Sequence, residues 1–464
     1  MKIRKIFLIG LVLLLGVAMF SMAAGGRAAQ DGPGGVTTVR VWTNDAHNKV
    51  EVDAIVERFN ATTGAQRGVF VEYTVYGADC QTAMNMALDT GREPEIHKAA
   101  NRFIEHQAQG RYLPLSYLPG IEDLVRAQEP FHRNMSTVFG GEAYALNLFG
   151  WTNGFHYNRS LLQRAGFSAP PRTWAEFEAA AIAISQLEPG RIYGYAMPLA
   201  WPSYRDWLVD VFAGKSIGHP LYNSTQNRYM MAAFTPFFET LSRIREAGAM
   251  FPGMESLTDD QMRAQFAAGN IGFIGGGGWN VGVLYDQFPF QGDPLGWDYA
   301  PMPVLDANNY FAVPFAPGSP LYVSNQIRGN ADMLEKVALV YRIYHDEDFQ
   351  SIMYTNGKNI PMRADIVARA ARPERPQWIS YANTFPRTVT LPAFPHDLLA
   401  PEGATMIDVF AQILTGHVSI PNIRSTLEDL DRRYNASLQQ AAQRGILNIQ
   451  DFHDATLETR FRAR

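Results

Sequence analysis

The amino-acid sequence predicts an α/β protein built on a parallel, doubly wound sheet, with room for two domains. Strand patterns and helix patterns alternate over the first hundred residues, an order typical of parallel sheets. The chain has 464 residues, of which 47% are hydrophobic and 18% are charged, so sizeable cores are expected. The segment Trp297–Pro320 is rich in proline, glycine and aromatic residues, a composition suited to a chain that crosses between lobes.

The first elements follow from apolar spacing, which alternates in strands and recurs every three or four residues in helices. In chain order we predict a strand over Val36–Trp42, a helix through Val52 and Phe59 that stops at Gly64, a strand over Val69–Val75, a helix through Met84 and Leu88 that ends at Gly91, a strand over Glu95–Ala100 and a helix from Arg102.

Polar residues follow the first and third of these strands. In doubly wound sheets the ligand crevice lies beyond the carboxyl ends of the strands. This placement makes Asn44, Asp45 and His47 candidate ligand-binding residues, together with Asn101 and Arg102. Each of these residues is equally compatible with a helix cap or a solvated loop.

Gly140–Asn158 combines aromatic and amide side chains, the chemistry of a surface that faces a polyhydroxylated ligand. A helix follows, marked by a capping box of Thr173 and Glu176, and its Trp174 is interpreted as a core residue. A second capping box, Thr258 with Gln261, begins a helix that stops at Gly269.

The strand Ile271–Ile274 then leads into four consecutive glycines, which deliver Trp279 and Asn280. Such glycines allow the backbone to approach a ligand or a neighbouring element closely, and Trp279 is the aromatic residue that we most readily place in the site. Further helices are predicted over Ala331–His345, Asp346–Asn356, Thr405–Thr415 and Ser425–Arg444, the last with a capping box of Ser425 and Glu428.

The amino terminus has the layout of a secretory signal peptide over residues 1–24, with basic residues before the apolar run Ile6–Phe20. A signal anchor that stays in the membrane is the alternative. The only cysteine is Cys80, so we expect neither an internal disulfide nor a lipoprotein anchor. Loss of the leader makes the chain more acidic than its formal net charge of -5, which argues against nucleic-acid binding. These features suggest a protein exported to a periplasm.

Searches for enzyme signatures return nothing specific, and we predict no catalytic residues, no metal and no cofactor. Gly214–Gly218 matches G-x-S-x-G by letter, but the preceding residues favour a helix end, and a nucleophile elbow needs a strand there. The ten histidines include no H-E-x-x-H pair. A pair of carboxylates for glycosidic cleavage remains an open alternative, because their separation is not readable from sequence.

Several landmarks resemble the extracellular solute-binding proteins of ABC importers, in particular the carbohydrate-binding group that includes maltodextrin-binding protein. They are, in order, Tyr144-Ala145-Leu146, Tyr157-Asn158, Ala165-Gly166-Phe167, Pro170–Phe177, Phe266–Gly272 with the downstream Trp279, and Ala331–Pro361. Two of them depart from the family pattern: Asn147 stands where proline is usual, and Gly269–Phe273 differs from the usual G-K-A-A-M.

The resemblance implies a periplasmic-binding-protein fold of two lobes, each a doubly wound, mostly parallel sheet flanked by helices and joined by crossing hinge segments. Lobe one is expected over 36–147 and 318–365, and lobe two over 148–317 and 366–464. The implied function is to capture a sugar or oligosaccharide by hinge closure and to deliver it, as a monomer, to a membrane permease. A secreted carbohydrate-active enzyme and a chemosensory binding protein on the same fold are the alternatives. The implied ligand contacts are Asn44, Asp45, His47, Asn101, Arg102, Phe149, Trp151, Asn153, Trp201, Trp279 and Asn280.

Overall fold

Two separate sheets, each flanked by helices, form the two lobes of this computed structural model. The structure describes residues 35–98, 102–201, 203–290, 296–311, 313–318, 320–383 and 388–462. The predicted signal peptide and the candidate Asn101 lie outside the described residues. No helix of the described chain is both long enough and apolar enough to cross a membrane.

The strands are β1 (Thr37–Thr43), β2 (Val69–Val75), β3 (Ile96–His97), β4 (Val138–Phe139), β5 (Glu142–Ala143), β6 (Ala145–Leu146), β7 (Phe149–Trp151), β8 (Asn153–Asn158), β9 (Tyr193–Ala196), β10 (Tyr222–Asn223), β11 (Arg228–Tyr229), β12 (Ile271–Gly277), β13 (Trp297–Pro301), β14 (Val313–Gly318), β15 (Leu321–Val323), β16 (Ile360–Pro361) and β17 (Thr388–Thr390).

The α-helices are α1 (Lys49–Phe59), α2 (Ala65–Arg67), α3 (Cys80–Thr90), α4 (Phe103–Ala108), α5 (Glu122–Ala127), α6 (Arg159–Arg164), α7 (Trp174–Ser185), α8 (Ser203–Leu208), α9 (Gly214–Ile217), α10 (Thr235–Glu246), α11 (Asp259–Ala267), α12 (Trp279–Asp286), α13 (Ala331–Ile343), α14 (Glu347–Thr355), α15 (Ala364–Arg369), α16 (Pro376–Ala382), α17 (Met406–Thr415), α18 (Ile423–Gln443) and α19 (Leu457–Arg462).

The sheet of lobe one has the strand order β2-β1-β3-β15-β6. The predicted parallel pairing holds for β1 with β2 and with β3, where Trp42 lies opposite His97. In contrast, β15 pairs antiparallel with both β3 and β6. The apolar face of this sheet packs on α1 and α13 through one core that includes Val41, Val52 and Val337.

The sheet of lobe two has the order β13-β8-β12-β9. Here β9 and β12 run parallel, whereas β8 runs antiparallel to β12 and to β13. Its two faces are covered by two apolar clusters, one around Phe155 and Phe273 and the other around Ile274 and Trp378. Trp174 belongs to the first cluster and donates from Nε1 to Pro303 O at 3.0 Å, so its predicted core role is confirmed.

A third sheet, of order β16-β7-β14-β17, joins the lobes. The chain leaves lobe one through β7, returns through β14 and leaves again through β16. In this sheet β7 pairs antiparallel with β14 and with β16. The two-lobe α/β fold with crossing segments is therefore confirmed.

Two predicted boundaries are wrong for identifiable reasons. The first helix does not stop at Gly64; it continues through a π-turn and α2 and ends at Gly68, which has the left-handed φ of 67°. Gly64 is instead a site of close packing, because a Cβ there would lie 2.6 Å from Val69 O. Ser425 does not begin α18 but lies within it, where its hydroxyl donates to Asn422 O at 3.0 Å.

Candidate functional site

The carboxyl ends of β1 and β3 meet at one edge of the lobe-one sheet. Asp45 follows β1 and Lys98 follows β3, and their side chains form an ion pair at 3.2 Å with only 10% and 9% of their area exposed. Asn44 beside them is exposed. Sequence reasoning placed Asp45 here but missed Lys98, although a lysine directly after a buried strand was the available signal.

His47 lies in the short 3-10 turn Ala46–Asn48 at the same edge. Its Nε2 is 3.1 Å from Asn359 Oδ1, next to the crossing strand β16. Burial lowers the pKa of His47, so its ring is neutral near pH 7. Two half-buried aromatic residues complete the edge, namely Trp42 at the end of β1 and Tyr76. Their ring centroids are 4.7 Å apart.

The opposing edge belongs to the sheet of lobe two. The parallel strands β9 and β12 end there, followed by Trp201 and Trp279 respectively. The antiparallel β8 begins there, with Asn153 opposite Gly277. The sheet therefore brings together Asn153, Trp201 and Trp279, three of the predicted site residues, although they are far apart in sequence.

The four glycines at the end of β12 make room for large side chains. A Cβ on Gly277 would lie 2.1 Å from Trp279 Cζ3, and one on Gly278 would lie 2.2 Å from Tyr381 Cε1. Trp151 lies equally close over Gly318 of the crossing strand β14, and its ring centroid is 5.7 Å from that of Trp279 in an edge-on arrangement. The glycines thus seat two tryptophans at the boundary between lobe two and the crossing sheet.

The amides of this edge differ in their environment. Asn153 is 2% exposed, and neither atom of its amide has a hydrogen-bond partner among the described residues. Asn280 is also buried, but its Oδ1 accepts a hydrogen bond from Arg263 Nε at 2.8 Å. A buried amide that lacks partners carries a desolvation cost that a ligand or water would relieve, so Asn153 is well suited to hydrogen-bond a bound polar molecule.

The structure corrects the expectation for Phe149. Its side chain extends from the crossing strand β7 into the apolar core of lobe one and stacks on Phe349 at 6.2 Å, so it does not face the cleft. The guanidinium of Arg102 is engaged in exposed ion pairs with Asp89 and Glu105 of the same lobe. Side chains alternate in direction along β7, and Phe149 points inward. A strand of three residues is too short for this alternation to be recognised in the sequence.

The G-x-S-x-G match at Gly214–Gly218 does not form a nucleophile elbow. Ser216 of the G-x-S-x-G match lies inside α9, and its Oγ accepts a hydrogen bond from Leu305 N at 3.0 Å. A nucleophile elbow needs a strand before the serine, and α9 follows a π-turn. Within the described ranges, no group of three histidine, cysteine or acidic side chains is arranged to hold a metal ion.

Solved structures with the same architecture include bacterial binding proteins. One is the GacH receptor of Streptomyces glaucescens, solved unliganded and with acarbose, with 18% identity, a TM-score of 0.68, and coverage of 86% of this chain and 98% of that chain. Another is the sugar-binding protein MalE of Xanthomonas citri, with 18% identity, a TM-score of 0.64, and coverage of 89% and 100%. A third is a solute-binding protein of Thermotoga lettingae bound to α-D-tagatose, with 16% identity, a TM-score of 0.67, and coverage of 86% and 99%.

Because the sequence identities are only 16% to 18%, these structures are similar to this protein in fold alone. No curated protein sequence matches the chain. A family model, that of the bacterial extracellular solute-binding proteins, matches residues 47–327, which include the lobe-one edge at His47, the first two crossing strands and the lobe-two edge at Trp279. The chain therefore belongs to the bacterial extracellular solute-binding protein family.

Proposed function

We propose that this solute-binding protein captures a sugar or oligosaccharide between its lobes and delivers it to the permease of an ABC importer. The observation that carries the proposal is the pair of sheet edges on either side of the crossing strands. One edge has the Asp45–Lys98 pair beside Trp42, and the other has Asn153 beside Trp279.

This set of groups suits a carbohydrate. A sugar presents an apolar ring face that packs on an aromatic ring, together with hydroxyls that each need donors and acceptors. Trp279 and Trp201 supply rings, and the amide of Asn153 supplies one acceptor and two donors. The sugars named for the similar solved structures add support at the level of the fold.

Hinge closure provides the coupling to transport. A ligand that contacts both lobes only when they are closed stabilises the closed form by that difference in contacts. We propose lobe boundaries of 36–147 with 318–365 and of 148–317 with 366–464, supported by the crossing strands β7, β14 and β16, each of which lies within a few residues of one change of lobe. We also propose that the protein is an exported monomer of the periplasm and breaks no covalent bond.

A thermal-shift screen of mono- and oligosaccharides tests the proposal. A ligand present at about 100 times its Kd adds about 2.7 kcal/mol to the free energy of unfolding, which raises the melting temperature measurably. Chromatography of the same mixtures should show each sugar intact. If no sugar raises the melting temperature, carbohydrate capture is refuted; if a sugar is cleaved at a catalytic rate, the binding-only function is refuted.

The variant Trp279→Ala tests whether Trp279 contacts the sugar. We expect this variant to lose the shift given by the best sugar while the ligand-free protein melts close to wild type, because the Trp279 ring is only partly buried. A control is Trp174→Ala, which removes a buried core ring and should lower the melting temperature of the empty protein. If Trp279→Ala destabilises the empty protein as much as Trp174→Ala, then Trp279 is a core residue.

A further inference from the structure

Lys358 is a buried cation held by lobe one. It lies three residues beyond the end of α14, and its backbone N–H donates to Met353 O at 2.9 Å. Its ammonium lies 3.4 Å from Glu51 Oε1 and donates to the carbonyl of His47 at 3.2 Å, while only 6% of its side chain is exposed. Both partners belong to the cleft side of lobe one, so that lobe fixes the position of the charge.

Asp286 is the matching anion held by lobe two. It is the last residue of α12, the helix that begins with Trp279. Its Oδ1 accepts a hydrogen bond from Arg375 at 2.9 Å, and the guanidinium of Arg375 lies over the ring of Tyr285 at 4.5 Å. Arg375 immediately precedes α16, whose Trp378 packs in a core of lobe two.

The two groups meet between the lobes, where Lys358 Nζ is 2.6 Å from Asp286 Oδ2. The α12 backbone also approaches lobe one at this point, since a Cβ on Gly282 would lie 3.7 Å from Gly357 O. We propose that the Lys358–Asp286 ion pair is a clasp that stabilises the closed arrangement of the lobes without touching the ligand, and so helps to set ligand affinity.

The geometry favours a net contribution from this pair. An exposed ion pair gains little because two flexible side chains must be ordered to form it. Here each side chain is already held by its own lobe, Lys358 by Glu51 and Asp286 by Arg375, so closure orders little that was mobile before. Lys358 and Arg375 together hold the pKa of Asp286 below its ordinary value although burial opposes them, which keeps the carboxylate charged.

The proposal rests on the proposed function in one respect, namely that the lobes open and close around a ligand. A protein whose binding-competent state is partly populated binds with an affinity reduced by that fraction. Weakening the clasp should therefore raise the open population of the empty protein and weaken binding of every ligand by the same factor. A residue that contacts the ligand would instead affect different ligands unequally.

The test measures the distance between the lobes in the ligand-free protein. Spin labels at Met86→Cys in lobe one and Ile446→Cys in lobe two use positions that are 66% and 54% exposed, while Cys80 is buried and does not compete for label. Double electron–electron resonance measures the distance between the two labels in the protein with and without Asp286→Asn, an isosteric change that removes only the charge. The matched control is Glu347→Gln, which breaks the exposed Arg369–Glu347 pair.

We expect Asp286→Asn to raise the ratio of open to closed molecules by about fivefold, the effect of a favourable ion pair, and Glu347→Gln to leave it unchanged. In the labelled protein that retains Asp286, a higher salt concentration should also raise the ratio of open to closed molecules. The reason is that Asp286 is partly exposed, so salt screens its charge. A distance distribution that Asp286→Asn leaves unchanged overturns the clasp. If Asp286→Asn shifts the distribution but no sugar does, the clasp stands and the proposed sugar-binding function fails.

Discussion

Gly277→Ala should displace Trp279 without altering any residue proposed to touch the ligand. Gly277 is the last residue of β12, and its φ lies outside the left-handed region, so the backbone accepts alanine. The added Cβ would lie 2.1, 2.6 and 2.7 Å from three atoms of the Trp279 ring. Carbon atoms in contact stand about 3.5 Å apart, so the ring must move by more than about 1 Å.

The expected size of the effect follows from contact area. A sugar ring stacked on tryptophan removes on the order of 60 Å² of apolar surface from water, which is worth about 1.5 kcal/mol. Loss of that contact weakens binding roughly tenfold. Crowding in the strand costs the empty protein about 1 to 3 kcal/mol of unfolding free energy.

Isothermal titration with the sugar that gives the largest thermal shift measures Kd for Gly277→Ala, and urea unfolding measures its stability. Gly272→Ala is the matched control in β12, because its Cβ would crowd Ile184 Cδ1 at 2.8 Å and does not meet Trp279. It should cost a similar amount of unfolding free energy and leave Kd unchanged. Equal Kd values for wild type and Gly277→Ala would refute the assignment of Trp279 as the stacking ring.

Three further predictions concern buried polar groups. Lys98→Met removes the cation of the buried Asp45–Lys98 ion pair and should cost about 3 kcal/mol in urea unfolding, with partial recovery in Lys98→Met/Asp45→Asn; equal losses in both variants would contradict the pairing. Asn153→Leu should leave the stability of the empty protein unchanged or raised, while abolishing the thermal shift by sugar, whereas retained binding would show that the amide has no ligand role. Burial lowers the pKa of His345 to about 3, so the folded protein holds it neutral while the unfolded chain takes up a proton below about pH 6.5. The free energy of unfolding should therefore decrease as the pH falls from 6.5 toward 3. His345→Phe should make this decrease smaller between pH 6.5 and pH 5, and an unchanged slope would argue against a contribution from His345.

At the lobe-one edge, the candidate residue that the fold brings together with other polar groups is one that topology alone positions. Asp45 follows a strand whose alternating pattern was readable, and strands that run parallel bring their carboxyl ends to one edge. The lobe-two residues depended on more: Trp201 and Trp279 meet because β9 and β12 pair, and no local pattern predicts that pairing. The family resemblance supplied Trp201, whereas the glycine run had already singled out Trp279.

The predictions that needed correction were those that depend on the direction of a side chain or on contacts distant in sequence. Phe149 and Trp151 lie two residues apart in β7, yet one packs in the core of lobe one and the other lies over Gly318. The ion pair of Asp45 with Lys98 joins residues that follow different strands, and the contact of Lys358 with Asp286 joins residues 72 positions apart in the chain. Sequence patterns carry little information about either relation.

The glycine run now has a definite physical role. Glycine was expected there because it lets a ligand or a neighbouring element approach the backbone, and the structure fills each space with a side chain of the protein itself. Trp279 lies over Gly277, and the amide of Asn280 lies over Gly276. The same helix that begins with Trp279 ends at Asp286, where it meets lobe one. The ring proposed to stack on the ligand and the carboxylate of the proposed clasp are therefore the two ends of one helix of eight residues, so a single rigid element positions both.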